Sequence, residues 1–149
     1  WYGDKGAVYR YSNMINEPLP WIDELLDLRS MVVQACGNRF NSVLANYYRS
    51  GADSMGWHSD DESELGPDPL IASVSLGGDR RFLLRHRQDR HAAKHEVTLE
   101  HGSLLVMDRG VQGEWQHAIP KTKREVLPRI NLTFRYVEKS SEVRAKTKS

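Results

Sequence analysis

A histidine and two acids alternate in Trp57-His58-Ser59-Asp60-Asp61-Glu62, and that spacing suits metal chemistry. Residues two apart on an extended chain share a face. His58 and Asp60 then point the same way on a strand that runs into a turn, where Glu62 can join them. A neutral imidazole beside a carboxylate gives two ligands. His117, in Trp115-Gln116-His117-Ala118-Ile119-Pro120, is the best candidate for a third, from another strand. Two histidines and a carboxylate on one side of an ion leave positions open, as in non-haem Fe(II) oxygenases. Zinc with the same ligands and a water would make a hydrolase. The ligands alone leave both open, and a wet acidic loop is the ordinary reading of an isolated H-x-D.

Residues 129–135, Arg-Ile-Asn-Leu-Thr-Phe-Arg, favour the oxygenase. On a strand, Ile130, Leu132 and Phe134 make one face, and Arg129, Asn131, Thr133 and Arg135 the other. An exposed edge would turn the polar face to water. Turned inward, the two guanidiniums need buried anionic partners, and a short dicarboxylate fits. At ~3.3 Å per residue the two Cα atoms lie roughly 20 Å apart, so the long side chains must lean toward each other. Asn46 and Tyr48, two apart in Leu44-Ala45-Asn46-Tyr47-Tyr48, can add an amide and a phenol as donors. Zinc hydrolysis would leave both arginines without a task.

These residues must be positioned by a scaffold. The chain has 149 residues, 39% apolar and 28% charged, which suits one soluble globular domain. No run of 18 apolar residues exists, so no membrane span is expected. Cys36 is the only cysteine, compatible with a reducing, intracellular setting. Pro18 and Pro20 lead into a helix. Trp21, Leu25, Leu28, Val32 and Ala35 or Cys36 then form one apolar stripe that should lie on a sheet, and Gly37 closes it. Beyond Gly37 the period becomes two, predicting strands near 42–48, 55–60, 70–76, 80–86, 95–99, 103–107, 115–119 and 128–137. Turns at Gly51, Gly66-Pro67, Gly77-Gly78-Asp79, Gly102 and Gly110 divide them. Roughly eight short strands so punctuated predict a β-sandwich or jelly roll. The expected domain spans 1–137, and 138–149 reads as a polar, mobile tail.

The stretches NYYRSGADSMGWHSDDE, IASVSLG, HGSLLVM, WQHAIP and PRINLTFR together resemble the AlkB family of Fe(II)- and 2-oxoglutarate-dependent dioxygenases, in its DNA-repair branch with an H-x-D-x-E motif. The resemblance covers residues 2–137 and implies a double-stranded β-helix, a mainly β jelly roll with a flanking helix. It implies His58, Asp60 and His117 as iron ligands. Asn46, Tyr48, Arg129 and Arg135 would hold 2-oxoglutarate, with Asn131 and Thr133 nearby, Arg129 at the distal carboxylate and Arg135 at the metal end. The implied reaction consumes O2 and 2-oxoglutarate and demethylates N-methylated bases such as 1-methyladenine and 3-methylcytosine, releasing formaldehyde.

The implied partner is alkylated DNA, single- or double-stranded, with RNA or a protein side chain as other substrates of the same chemistry. A non-catalytic metal-containing jelly roll is the reading from another class. Such enzymes act on a base taken out of its stack. Residues 1–17 would form part of the base-recognition lid, with Tyr11 stacking on the base and Tyr9 making a polar contact. Asp61 and Glu62 match acids that meet the base edge. Net charge is +1, yet cations cluster at Arg80, Arg81, Arg85, Arg87, Arg90 and Lys94 and at Lys121, Lys123 and Arg124. Arg85, Lys121, Lys123 and Arg124 are the candidate nucleic-acid contacts. A monomer is expected, cytoplasmic in a bacterium or nuclear in a eukaryote. The shortened start and the shorter basic loop leave strand preference open.

Overall fold

Period-two segments from distant parts of the chain pair into two antiparallel sheets. The computed structural model describes residues 1–11, 14–89 and 91–138; the Tyr11 side chain, Arg90 and the tail from 139 onward lie outside the described residues. In chain order the strands are β1 (Tyr2–Gly3), β2 (Tyr9–Tyr11), β3 (Met14–Asn16), β4 (Ser42–Tyr48), β5 (Met55–His58), β6 (Ile71–Gly77), β7 (Arg80–His86), β8 (His95–Leu99), β9 (Leu104–Met107), β10 (Trp115–Ile119) and β11 (Arg129–Arg135). The larger sheet runs β1-β4-β11-β6-β9 and the smaller β5-β10-β7-β8, while β2 and β3 pair as a hairpin. This is the double-stranded β-helix expected from the sequence.

Helix α1 (Asp23–Cys36) covers the outer face of the larger sheet. Leu25 and Val32 pack there with Val43, Leu132 and Phe134, so Leu132 and Phe134 of β11 go under the helix, while Ile130 at the start of the strand is exposed. Gly37 ends α1 in the left-handed conformation at φ 63°, which glycine adopts without steric penalty. The helix starts later than the prolines suggested: Pro18 and Pro20 precede it, and Asp23 and Glu24 open its first turn. Acids there complement the positive end of the helix dipole.

The inner faces of the two sheets enclose the other half of the core, with Tyr48, Ile71, Phe82, Leu99, Met107 and Ile119. Strand β1 extends the sheet edge through β4, and Asp4 pins this segment to α1 and the residues before it by accepting from Arg29 Nη1 at 3.2 Å and Trp21 Nε1 at 2.8 Å. Strands β1–β3 have no signature in the sequence, because two- and three-residue strands carry no period. The same holds for the 3₁₀ turn Ser63–Leu65 and the one-turn helix α2 (Val111–Glu114). Among the described residues, no helix is long and apolar enough to cross a membrane.

Candidate active site

Strand β5 ends at His58, which faces His117 of β10 across the ladder. Directly opposed residues bring their side chains together on one face, and the two imidazoles meet edge to face with centroids 4.2 Å apart. Asp60 completes a group whose ligand atoms all lie within 4.8 Å of one another. It arrives there by a different route from the one alternation predicted. The strand stops at His58, and Asp60 sits in the chain that leaves the sheet. For the same reason Glu62 is not part of the group.

The electrostatics keep all three groups ready to ligate. Burial alone would raise the Asp60 carboxyl, but Arg135, with His117 and His58, holds it below the usual carboxylate range. Burial pushes His117 down to about 4 against the opposing pull of Asp60, so the ring is neutral at pH 7 and keeps a lone pair. Phe82 stacks on it at 5.2 Å. His58 Nδ1 lies 2.8 Å from the Gly56 carbonyl; as the donor there, it leaves Nε2, 3.6 Å from Asp60 Oδ1, free to bind an ion.

The polar face of β11 turns inward because its apolar face is taken by α1. Arg129 and Arg135 are 1% and 4% exposed. Arg135 Nη2 donates to Asp60 Oδ2 at 2.8 Å. Arg129 Nη2 donates to Ser75 Oγ at 2.9 Å and Asn131 Oδ1 at 2.8 Å, with the Tyr48 ring 5.1 Å away. Among the described residues Arg129 has no carboxylate partner, and Nε and Nη1 of both arginines have no acceptor. Buried cationic N–H groups without acceptors are costly, so this wall is built for an anion. Asn46, Tyr48, Asn131 and Thr133 line one cavity of about 270 Å³ together with the three ligands and both arginines. The donor set fits Fe(II), and the unpaired guanidinium edges fit a dicarboxylate.

The candidate base contacts are less gathered. Trp1, Tyr9, Met14 and Asn16 wall the cavity from the N-terminal side. Tyr9 is not an open contact: it is 1% exposed, stacks on Trp1 at 4.7 Å, and lies 5.6 Å from the Arg135 guanidinium. Burial pushes its hydroxyl well above the usual phenol range, with Arg135 opposing and the neighbouring Glu62 adding to the rise. Tyr11 lies in β2, its side chain outside the described residues. Asp61 is exposed and bridged to Arg87 Nη1 at 2.8 Å, and neither Asp61 nor Glu62 lines the cavity. Arg85 lies over Trp57 at 4.3 Å and donates twice to Gln116 Oε1. Lys121, Lys123 and Arg124 are exposed beyond β10. Ser73 and Ser75 were missed in the sequence, although serines alternating with apolar residues in β6 were the available signal.

Residues 1–135 match the family described as the 2OG-Fe(II) oxygenase superfamily. The chain belongs to that superfamily. It is 43% identical over 145 residues to the "Alpha-ketoglutarate-dependent dioxygenase alkB homolog 3" of Bos taurus, covering 92% of this chain and 50% of the relative. Against the "DNA oxidative demethylase ALKBH2" of Homo sapiens it is 42% identical over 142 residues, 91% of this chain and 54% of the relative. The chain thus spans about half the length of these relatives. The solved structure of OsALKBH1 shares the fold, with a TM-score of 0.61 and 24% identity over 80% of this chain and 66% of that one. The AlkB resemblance seen in the motifs is met by these relatives.

Proposed function

We propose that this chain is an oxidative demethylase of N-alkylated bases in nucleic acid, with 1-methyladenine and 3-methylcytosine in DNA as substrates. The observation that carries this reading is the His58-Asp60-His117 group sharing one cavity with two arginines whose buried N–H groups lack acceptors. With Fe(II), 2-oxoglutarate and O2 bound, such a site supplies the oxidising power to hydroxylate an N-methyl group, after which formaldehyde leaves. His58, Asp60 and His117 would hold the iron. Arg129, with Asn46, Tyr48 and Asn131 beside it, would hold the distal carboxylate, and Arg135 would stand at the metal end. Phe82, Met107 and Ile119 give the cavity an apolar wall.

The nucleic-acid part of the reading is supported by the relatives named as DNA demethylases and by the exposed cations after β10. Glu62, half-buried beside Tyr9, supplies negative charge near the cavity, which favours a base made cationic by alkylation. Iron(II) chemistry and the lone Cys36 suit a reducing intracellular setting.

The test is incubation with a 1-methyladenine oligonucleotide, Fe(II), ascorbate and 2-oxoglutarate, in DNA and RNA versions. The expected product is lighter by one methylene unit. No mass loss on either, alongside an active relative, would overturn the substrate assignment.

A further inference from the structure

The metal ligand Asp60 lies beyond the end of β5, so the sheet ladder does not fix its backbone. One contact does. Its N–H donates to Gln112 Oε1 at 2.8 Å, across 52 positions of sequence, in a buried setting. Gln112 belongs to α2, which immediately precedes the strand that carries His117. Gln112 is 2% exposed, and among the described residues its amide nitrogen finds a weak acceptor, Met107 Sδ at 3.4 Å. An apolar residue of the same size would fill this place without burying an amide. The geometry therefore gives the amide a specific task at its oxygen end.

A second tie runs from the same turn. Arg87 Nη1 donates to the Gln112 main-chain oxygen at 2.8 Å and to Asp61 Oδ2 at 2.8 Å. Its backbone N–H donates to the Glu114 carbonyl at 2.8 Å. Ser59 Oγ also donates to the Trp115 carbonyl at 2.8 Å, so the departing H-x-D segment is held at three successive residues, Ser59, Asp60 and Asp61, by the turn and the start of the strand that carries the other histidine ligand.

We infer that Gln112 is a positioning residue for the metal site: through the Asp60 N–H it sets where the Asp60 carboxylate stands relative to His58 and His117. This rests on the proposed iron site but not on the proposed base substrate. Outer-shell partners of metal ligands commonly set affinity by about 10–100-fold.

The test measures Mn(II) uptake by electron paramagnetic resonance on folded protein without oligonucleotide, with folding confirmed by circular dichroism and melting. Gln112→Met keeps the size and removes the acceptor; it is expected to weaken Mn(II) binding about tenfold. Gln112→Asn, one methylene shorter, carries the same expectation should the first variant fail to fold. Gln112→Glu keeps an oxygen acceptor in either protonation state and is expected to restore most of the affinity. Parental Mn(II) affinity in folded Gln112→Met or Gln112→Asn would overturn the inference while leaving the demethylase reading intact. Failure of the parent chain to demethylate, with the variant series behaving as expected, would do the reverse. A parent chain that takes up no metal would overturn both.

Discussion

Arg135 and Asp60 stand 75 positions apart in the chain, yet their side chains meet at 2.8 Å, each 5% exposed. The carboxylate is divided between two tasks. Oδ2 accepts from Arg135, while Oδ1 lies toward His58 Nε2. The arginine therefore keeps a metal ligand ionised in a place where burial alone would favour its protonated form.

Removing the guanidinium should have two consequences. In Arg135→Ala the buried carboxylate loses its ion partner, which typically costs about 3–5 kcal/mol. Urea unfolding of the metal-free protein reads that loss. In turnover, the variant should need far more 2-oxoglutarate but little more oligonucleotide. Equal rises in both requirements would contradict its place at the cosubstrate end.

Arg129 should behave differently, because its protein partners are all neutral. A buried charge without an anionic partner costs the fold a desolvation penalty that an apolar side chain avoids. Arg129→Met should melt at or above the parental temperature without 2-oxoglutarate, and should lose most of the stabilisation that 2-oxoglutarate and Mn(II) give the parent. A marked loss of stability in the ligand-free variant would show that the guanidinium serves the fold instead.

Acid should weaken the metal-free protein through His117. The folded pKa is depressed to about 4 from 6.5, so below pH 6.5 the unfolded chain takes up the proton first. The stability this group contributes is complete above pH 6.5 and is lost as pH falls toward 4, by about 3 kcal/mol. Denaturant unfolding across that range, with chelator present, should show the decline, and His117→Leu should flatten it. A parallel decline in both proteins would assign the acid limb to other groups.

Gly77 closes β6 at φ 99°, opposite Arg129 in the ladder, and a Cβ there would run into the Pro128 carbonyl. Gly77→Ala faces both a disfavoured backbone and a collision with rigid main chain, so it should cost about 2 kcal/mol or more. Because the displaced backbone feeds Arg129, binding of 2-oxoglutarate should weaken as well. Calorimetric melting and isothermal titration check the two effects, and unchanged melting would rule out the clash.

The sequence by itself determined what depends on neighbours along the chain. Alternation placed β4, β7, β8 and β10 at the residues where they are found, and the apolar stripe placed α1, because side-chain direction repeats with the local backbone. It also marked His58, Asp60, His117, Arg129 and Arg135, since ligand chemistry and a two-sided strand are visible in residue types alone. Tertiary structure decided which face of β11 turned inward, through the burial of Leu132 and Phe134 beneath α1. It also decided that Tyr9 is enclosed against Trp1, that Asp61 turns to Arg87, and that Gln112 holds Asp60. Each of these pairs residues from separate elements, and no local period encodes which distant side chain will fill a gap in a folded core.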